Sequence, residues 1–212
     1  MDHDILHSLV RTIELKDRST AAHTWRVVLY TRAVAEAEGL EKELIERLTV
    51  GAALHDLGKV DIPDAVLTKP GPLTAAEFDV IRTHSHLGHE RLVRMGETDE
   101  LLLGLVRHHH ERWDGDGYPD RLRGEGIPLG ARYFAVIDTF DALTSRRPYR
   151  NEVGEDAADQ ALGILHDDAG SHYQPAAVEL FAKLYEAGDL SWVSHYFNDE
   201  VPVRGFFEAE AG

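Results

Sequence analysis

An all-α protein built as a single helical bundle is what this sequence predicts, from three observations. Apolar residues recur at three- and four-residue spacing through nearly every segment, the period of a helix with one buried face. Many of these segments are bounded by residues suited to helix ends. Alternating strand patterns are scarce, and no internal repeat or low-complexity stretch interrupts the pattern. The 212 residues suffice for one domain with a substantial core, and 43% apolar with 28% charged is an ordinary globular composition.

Residues 1–14 read as a helical extension, 15–190 as the main domain and 191–212 as an aromatic and acidic tail. Residues 21–38 carry Val27, Val28, Tyr30, Thr31 and Val34 and end at Gly39, a residue suited to closing a helix. Residues 41–57 place Leu44, Leu48, Ala52 and His55 on one stripe and end at Gly58. Thr74 and Glu77 have the spacing of a capping box, and Leu73 with Phe78 that of a hydrophobic staple. One helix is expected from there to Met95, before Gly96, with Pro70 and Pro72 ahead of it.

A short helix is expected over 99–110, then a long loop over 114–128. Residues 129–145 carry a strong stripe of Tyr133, Val136, Ile137, Phe140 and Leu143. Helices over 155–166 and 175–187 complete the bundle. The tail holds Trp192, Tyr196, Phe197, Phe206 and Phe207, which pack either on the bundle or on a partner.

Charge narrows the function. With 38 acidic against 22 basic residues the net charge is −16, which repels a nucleic-acid polymer. An anionic small substrate would need local positive charge or metal ions. No run approaches 18 apolar residues and the start, Met-Asp-His-Asp, lacks a signal-peptide pattern, so no membrane span and a cytoplasmic location are expected. Absence of cysteine removes disulfides and thiolate metal sites.

Thirteen histidines are the unusual feature. A His-Asp pair near a helix end is often simply solvated, but His55 lies on an apolar stripe beside Asp56. Buried polar groups of this kind need hydrogen bonds or a cation. His23, His84 and Asp138 also lie on or beside apolar stripes. Helices that converge histidines and carboxylates on one interior build dinuclear metal centres, and nitrogen and oxygen donors without sulfur suit iron, manganese or zinc.

The triplet at 108–110 carries a constraint, because neighbours on a helix point about 100° apart. Two of the three can serve one cluster only at a helix end, which His109 and His110 occupy, or by binding different metals; His108 is then the spare one. Asp114, Asp116 and Glu125 have EF-hand spacing, yet Tyr118 and Pro119 stand where a ligand and a glycine are required. His86, His89, His166 and His172 read as solvated surface residues.

HDLGK at 55–59 and HHERWDGDGYP at 109–119, with KPGPLT, IPLGAR, DTFDALTS and RPYR, closely resemble the HD-GYP family of HD-domain phosphohydrolases over roughly residues 15–184. The resemblance implies metal ligation by His23, His55, Asp56, His84, His109, His110 and Asp138. It implies catalytic roles for Asp56 and Lys59, and substrate contact by Lys59, Gly117, Tyr118, Arg147 and Arg150. Asp141, one turn after Asp138, is placed with the substrate loop as an anchor or as a partner of a ligand. Two divalent ions, iron or manganese ahead of zinc, nickel or cobalt, follow from the same likeness. A third is disfavoured, since Ser19 stands where some members carry a ligand glutamate. Arg146, where an acidic residue is common, adds positive charge.

The implied activity is hydrolysis of cyclic di-GMP to pGpG or GMP by hydroxide activated at the dinuclear centre. Protein partners through the GYP loop and a dimeric state are candidates. The alternatives are a non-hydrolysing cyclic-dinucleotide sensor or interaction module, and an HD phosphohydrolase acting on another nucleotide.

Overall fold

The computed structural model describes residues 2–17, 21–145 and 156–197. Among them lie eleven α-helices and no strand beyond an isolated bridge between Ala169 and Tyr173. None of the helices is long and apolar enough to cross a membrane.

Helix α1 (His3–Lys16) opens at Asp2, whose side chain accepts the Asp4 N–H. It buries Val10 and Ile13 and packs against α3 and the 3-10 turn that follows α3, so the expected boundary after residue 14 falls inside this helix. Helices α2 (Ala21–Ala37) and α3 (Lys42–Leu54) form the most extensive helix pair, joined by a turn in which Gly39 adopts φ 77°. Helix α3 ends three residues before its predicted limit. His55 and Asp56 turn out of it, and a 3-10 turn, Leu57–Asp61, replaces the last predicted residue.

The short helix α4 (Asp64–Leu67) was not predicted. Beyond it, the predicted helix over 74–95 is two helices, α5 (Ala75–Arg82) and α6 (His84–Arg94). Both halves of the Thr74–Glu77 capping box are formed, but Phe78 is half-exposed. The break at Thr83 has a local cause. Its N–H bonds back three residues to the Val80 carbonyl, which the Thr83 hydroxyl also contacts at 2.7 Å, tightening the turn. His84 is thereby swung inward as the first residue of α6.

Helix α7 (Glu100–His108) starts at Asp99, which accepts the Leu101 and Leu102 N–H groups. The long loop holds only a 3-10 turn at Gly124–Gly126 before α8 (Leu129–Thr144). Helices α9 (Ala157–Asp167), α10 (Pro175–Glu186) and α11 (Ser191–Tyr196) follow, the last on residues read as tail. Helix α11 packs on α2 through the buried Val193.

The core runs between α2, α3, α7, α8 and α10. Tyr30, Phe134, Phe140 and Phe181 are its largest fully buried side chains. Tyr30 meets Phe140 and Phe181 edge-on at centroid distances of 6.0 and 5.7 Å. Each such burial contributes about 1.5–3 kcal/mol, enough to hold the helix ends around it in fixed relation. Those ends carry the polar cluster described next.

Candidate metal centre

Five elements each deliver a histidine or carboxylate to one interior. His23 comes from α2, His55 and Asp56 from the turn after α3, His84 from the start of α6, His109 and His110 from the end of α7, and Asp138 from α8. His23, His55, Asp56, His84 and His109 are all buried, while His110 and Asp138 are partly so.

The hydrogen bonds orient the rings. Nδ1 of His55, His84 and His109 lies 2.8, 2.8 and 2.9 Å from the carbonyls of Ala52, Ile81 and Val106. A carbonyl only accepts, so each Nδ1 carries a proton, and a ring without a second proton presents its lone pair at Nε2. His23 Nδ1 is held likewise by Asp141 Oδ2 at 2.8 Å. The Nε2 atoms then converge, with His84 and His109 3.2 Å apart and His23 and His55 3.5 Å apart. Lone pairs at such distances repel unless a proton or a metal cation lies among them, and a buried set of nitrogen and oxygen donors of this kind fits divalent metal ions.

Two triads result, His23–His55–Asp56 and His84–His109–His110, each with donor atoms within 4.8 Å of one another. Asp56 spans them, with Oδ2 3.2 Å from His55 Nε2 and Oδ1 3.5 Å from His84 Nε2. Asp138 stands at the edge of the first triad, 3.9 Å from His23 Nε2.

Burial lowers the basicity of the second triad. It holds His84 below the ordinary imidazole value and His109 well below it, and takes His110 to about 3. His55 and Asp56 behave as a pair. Burial opposes charge on both, but each favours the other's ionised form, so His55 is raised and Asp56 held well below the carboxylate range.

Lys59 does not point its charge at open space. Its Nζ lies 2.7 Å from both Asp56 Oδ2 and Asp17 Oδ2, and the two carboxylates outweigh burial to raise its pKa. The sequence offered no signal for Asp17, which sits in the loop after α1 and meets Lys59 only through the fold.

Of the two roles expected for Asp141, substrate-loop anchor and partner of a ligand, the structure agrees with the second and not the first: it is fully buried, with its oxygens taken by His23 and by the guanidinium of Arg26. It supports a cluster histidine and has no face for a substrate. Arg26, itself buried, was missed; its place three residues after His23 on the inward face of α2 was the available signal.

The loop beyond His110 is pinned from inside by Glu111, another residue the sequence reading passed over. Its buried carboxylate accepts the Asp120 and Leu122 N–H groups at 2.7 and 3.0 Å. Gly117, expected at the substrate, is buried against the backbone of Glu111 and Arg112, where a Cβ would collide. Gly58 of the HDLGK stretch is glycine for the same reason, lying on the His84 carbonyl and the Gly88 amide.

The Tyr118 ring packs on His110 at 4.8 Å and under the Arg82 guanidinium at 4.6 Å. Tyr118 and Arg82 line an open cavity of about 370 Å³ together with Gly117, Asp79, His86 and Arg121. His108 turns away to Asp120, 2.9 Å from its Nε2. His86 and His172 are surface residues as expected, with side chains 43% and 37% exposed, and they also contact Arg107 and Arg112 at 2.6 Å. Ser19, Arg146, Arg147 and Arg150 lie outside the described residues.

The family model for the HD domain matches residues 7–177. The cyclic di-GMP phosphodiesterase response regulator RpfG of Xanthomonas campestris is 42% identical over 84% of this chain and 47% of its own length. The 3'3'-cGAMP-specific phosphodiesterase 2 of Vibrio cholerae is 35% identical over 86% of this chain and 35% of its own length. A cyclic GMP-AMP specific phosphodiesterase of V. cholerae, solved as a crystal structure, has a TM-score of 0.66 at 17% identity, covering 91% of this chain and 52% of that one. That likeness is one of fold. The chain spans about half or less of the length of these relatives.

Proposed function

The chain belongs to the HD domain family, in its HD-GYP branch, and on that premise we propose that it is a metal-dependent phosphodiesterase that hydrolyses cyclic di-GMP to pGpG or GMP. The observation that carries the reading is Asp56, whose two oxygens reach histidines of different triads, Oδ2 to His55 and Oδ1 to His84. That arrangement supports two divalent ions, iron or manganese, on His23, His55, Asp56, His84, His109, His110 and Asp138. Ions held there would lower the pKa of water towards neutrality and offset the charge of a phosphodiester.

The chain's own residues supply the rest. The carbonyls of Ala52, Ile81 and Val106 and the Asp141 carboxylate fix which nitrogen of each ring is free to ligate. Lys59 balances Asp56 and leaves that carboxylate ionised. Tyr118 packs its ring on His110 and bounds the second triad on the side of the cavity. Arg82 and Arg121 at the adjoining cavity, offset in part by Asp79 beside Arg82, leave a local positive charge that the acidic surface as a whole lacks.

Two tests address this reading. Anaerobically purified full chain is assayed for bound metals and, loaded with iron or manganese, for products from cyclic di-GMP and from 3'3'-cGAMP. Hydrolysis of cyclic di-GMP is expected, and faster turnover of cGAMP would reassign the substrate. Binding of cyclic di-GMP with no turnover under either metal would make the protein a sensor instead. His55→Ala and Asp56→Ala are each expected to lose metal and at least about 100-fold in activity, more than loss of a group that only orients a ligand.

A further inference from the structure

Arg26 lies three residues after His23 on α2 and is 3% exposed. A guanidinium out of water is costly unless its donors are used, and this one joins three parts of the chain. Nε and Nη2 donate to the two oxygens of Asp141, the carboxylate that holds His23 Nδ1 at 2.8 Å. Nη2 also donates to Ser145 Oγ at 2.7 Å, just past the end of α8. Nη1 donates to the Phe197 carbonyl at 2.7 Å, just past the end of α11.

The neighbouring residue reinforces the last contact. The Trp25 indole stacks on the Phe197 ring at a centroid distance of 5.4 Å and an angle of 16°. Two consecutive residues of α2 thus grip the end of α11, and one of them also grips the carboxylate that aims His23. The grip is specific to arginine, because only a planar fork with five donors reaches Asp141, Ser145 and the Phe197 carbonyl together.

We propose that Arg26 is a positioning residue that makes the aim of His23 depend on the docking of the α11 end against α2. The inference rests on the reading of His23 as a metal ligand given above. If Phe197 departs, Nη1 loses a charge-assisted bond in a buried place, and the set of contacts that seats the guanidinium on Asp141 is altered. Its hold on Asp141 slackens, and the His23 ring is released with it. Anything that displaces the α11 end would then tune metal affinity.

The test is Mn²⁺ titration calorimetry of the full chain as wild type, Arg26→Met, Arg26→Lys and Phe197→Ala, with circular dichroism to confirm folding. Hydrogen exchange follows α11, and kcat and KM are measured on cyclic di-GMP. Arg26→Met is expected to weaken one of two Mn²⁺ sites by about 10–100-fold, with kcat reduced and KM little changed. Arg26→Lys should recover part of that loss. Phe197→Ala should speed exchange in α11 and weaken the same site by a smaller factor.

A folded Arg26→Met protein with both sites at wild-type affinity overturns the positioning role. Phe197→Ala that leaves Mn²⁺ affinity unchanged, whether or not α11 exchange rises, overturns the coupling to α11. If Arg26→Met does not fold, Arg26→Lys and Phe197→Ala decide the matter: unchanged Mn²⁺ affinity in both refutes it. Wild type that binds no Mn²⁺ at all overturns the metal reading itself, a result distinct from the others.

Discussion

The histidines of the second triad owe their chemistry to being out of water. An ordinary histidine titrates near 6.5, whereas burial holds His84 lower, His109 well below and His110 at about 3. Below about pH 6.5 the metal-free folded chain therefore binds fewer protons than the unfolded one, and stability falls as pH drops from there towards 3. Each of these histidines contributes about 1.4 kcal/mol per pH unit inside its own window. His55 shifts upward, so its contribution is complete below about pH 6.5 and is lost as pH rises from there through its raised value. Urea unfolding in chelator should give a lower midpoint at pH 5 than at pH 7; equal midpoints would contradict the neutral triad. Lys59 supplies a second test at this scale. Lys59→Met strips Asp56 of a cation in a mostly buried pair, with an expected loss of up to about 3–5 kcal/mol without metal. Saturating Mn²⁺ should restore more stability to this variant than to wild type, by comparison of urea midpoints.

Elements bring these residues together through helix ends and close backbone approaches. The HDLGK glycine lets the turn after α3 lie on the first turn of α6, so His55, Asp56 and His84 meet. Glu111 does the equivalent work for the GYP loop, tying two of its amides to the end of α7. Glu111→Ala leaves both amides unpaired, at about 1–3 kcal/mol each. Hydrogen exchange at residues 118–122 should accelerate with metal content unchanged; protection equal to wild type would show that other contacts hold the loop. The capping box at Thr74 was legible because it is a contact over three residues, and the structure forms both of its bonds. The break at Thr83 was not, since the apolar period continues across it and the inward swing of His84 depends on α6 meeting the turn after α3.

At the scale of the whole molecule, the cluster joins α2, α6, α7, α8 and the turn after α3, so a cation bound there would cross-link most of the bundle. A ligand that binds only the folded state at 100 times its Kd stabilises it by about 2.7 kcal/mol. For a chain of this size that corresponds to roughly 5–11 °C in Tm. Calorimetry with Mn²⁺ against chelator should show a rise of that order, and an unchanged Tm would count against convergence of the donors on metal. The net charge of −16 favours cation binding in general, so Ca²⁺, which prefers oxygen donors, is the proper control and should raise Tm less.

The amino-acid sequence by itself determined the all-α class, the approximate span of most helices, and the inward face of α2 that carries His23, because helical period reports which way a side chain faces. It also reduced the triplet at 108–110 to a pair, and His108 indeed turns away to Asp120. Tertiary structure alone decided who meets whom. Arg26 and Asp141 are 115 residues apart, and Lys59 and Asp17 are 42 apart. Period and spacing fix a direction relative to one helix axis, but the partner at the far end of that direction is set by how separate helices pack.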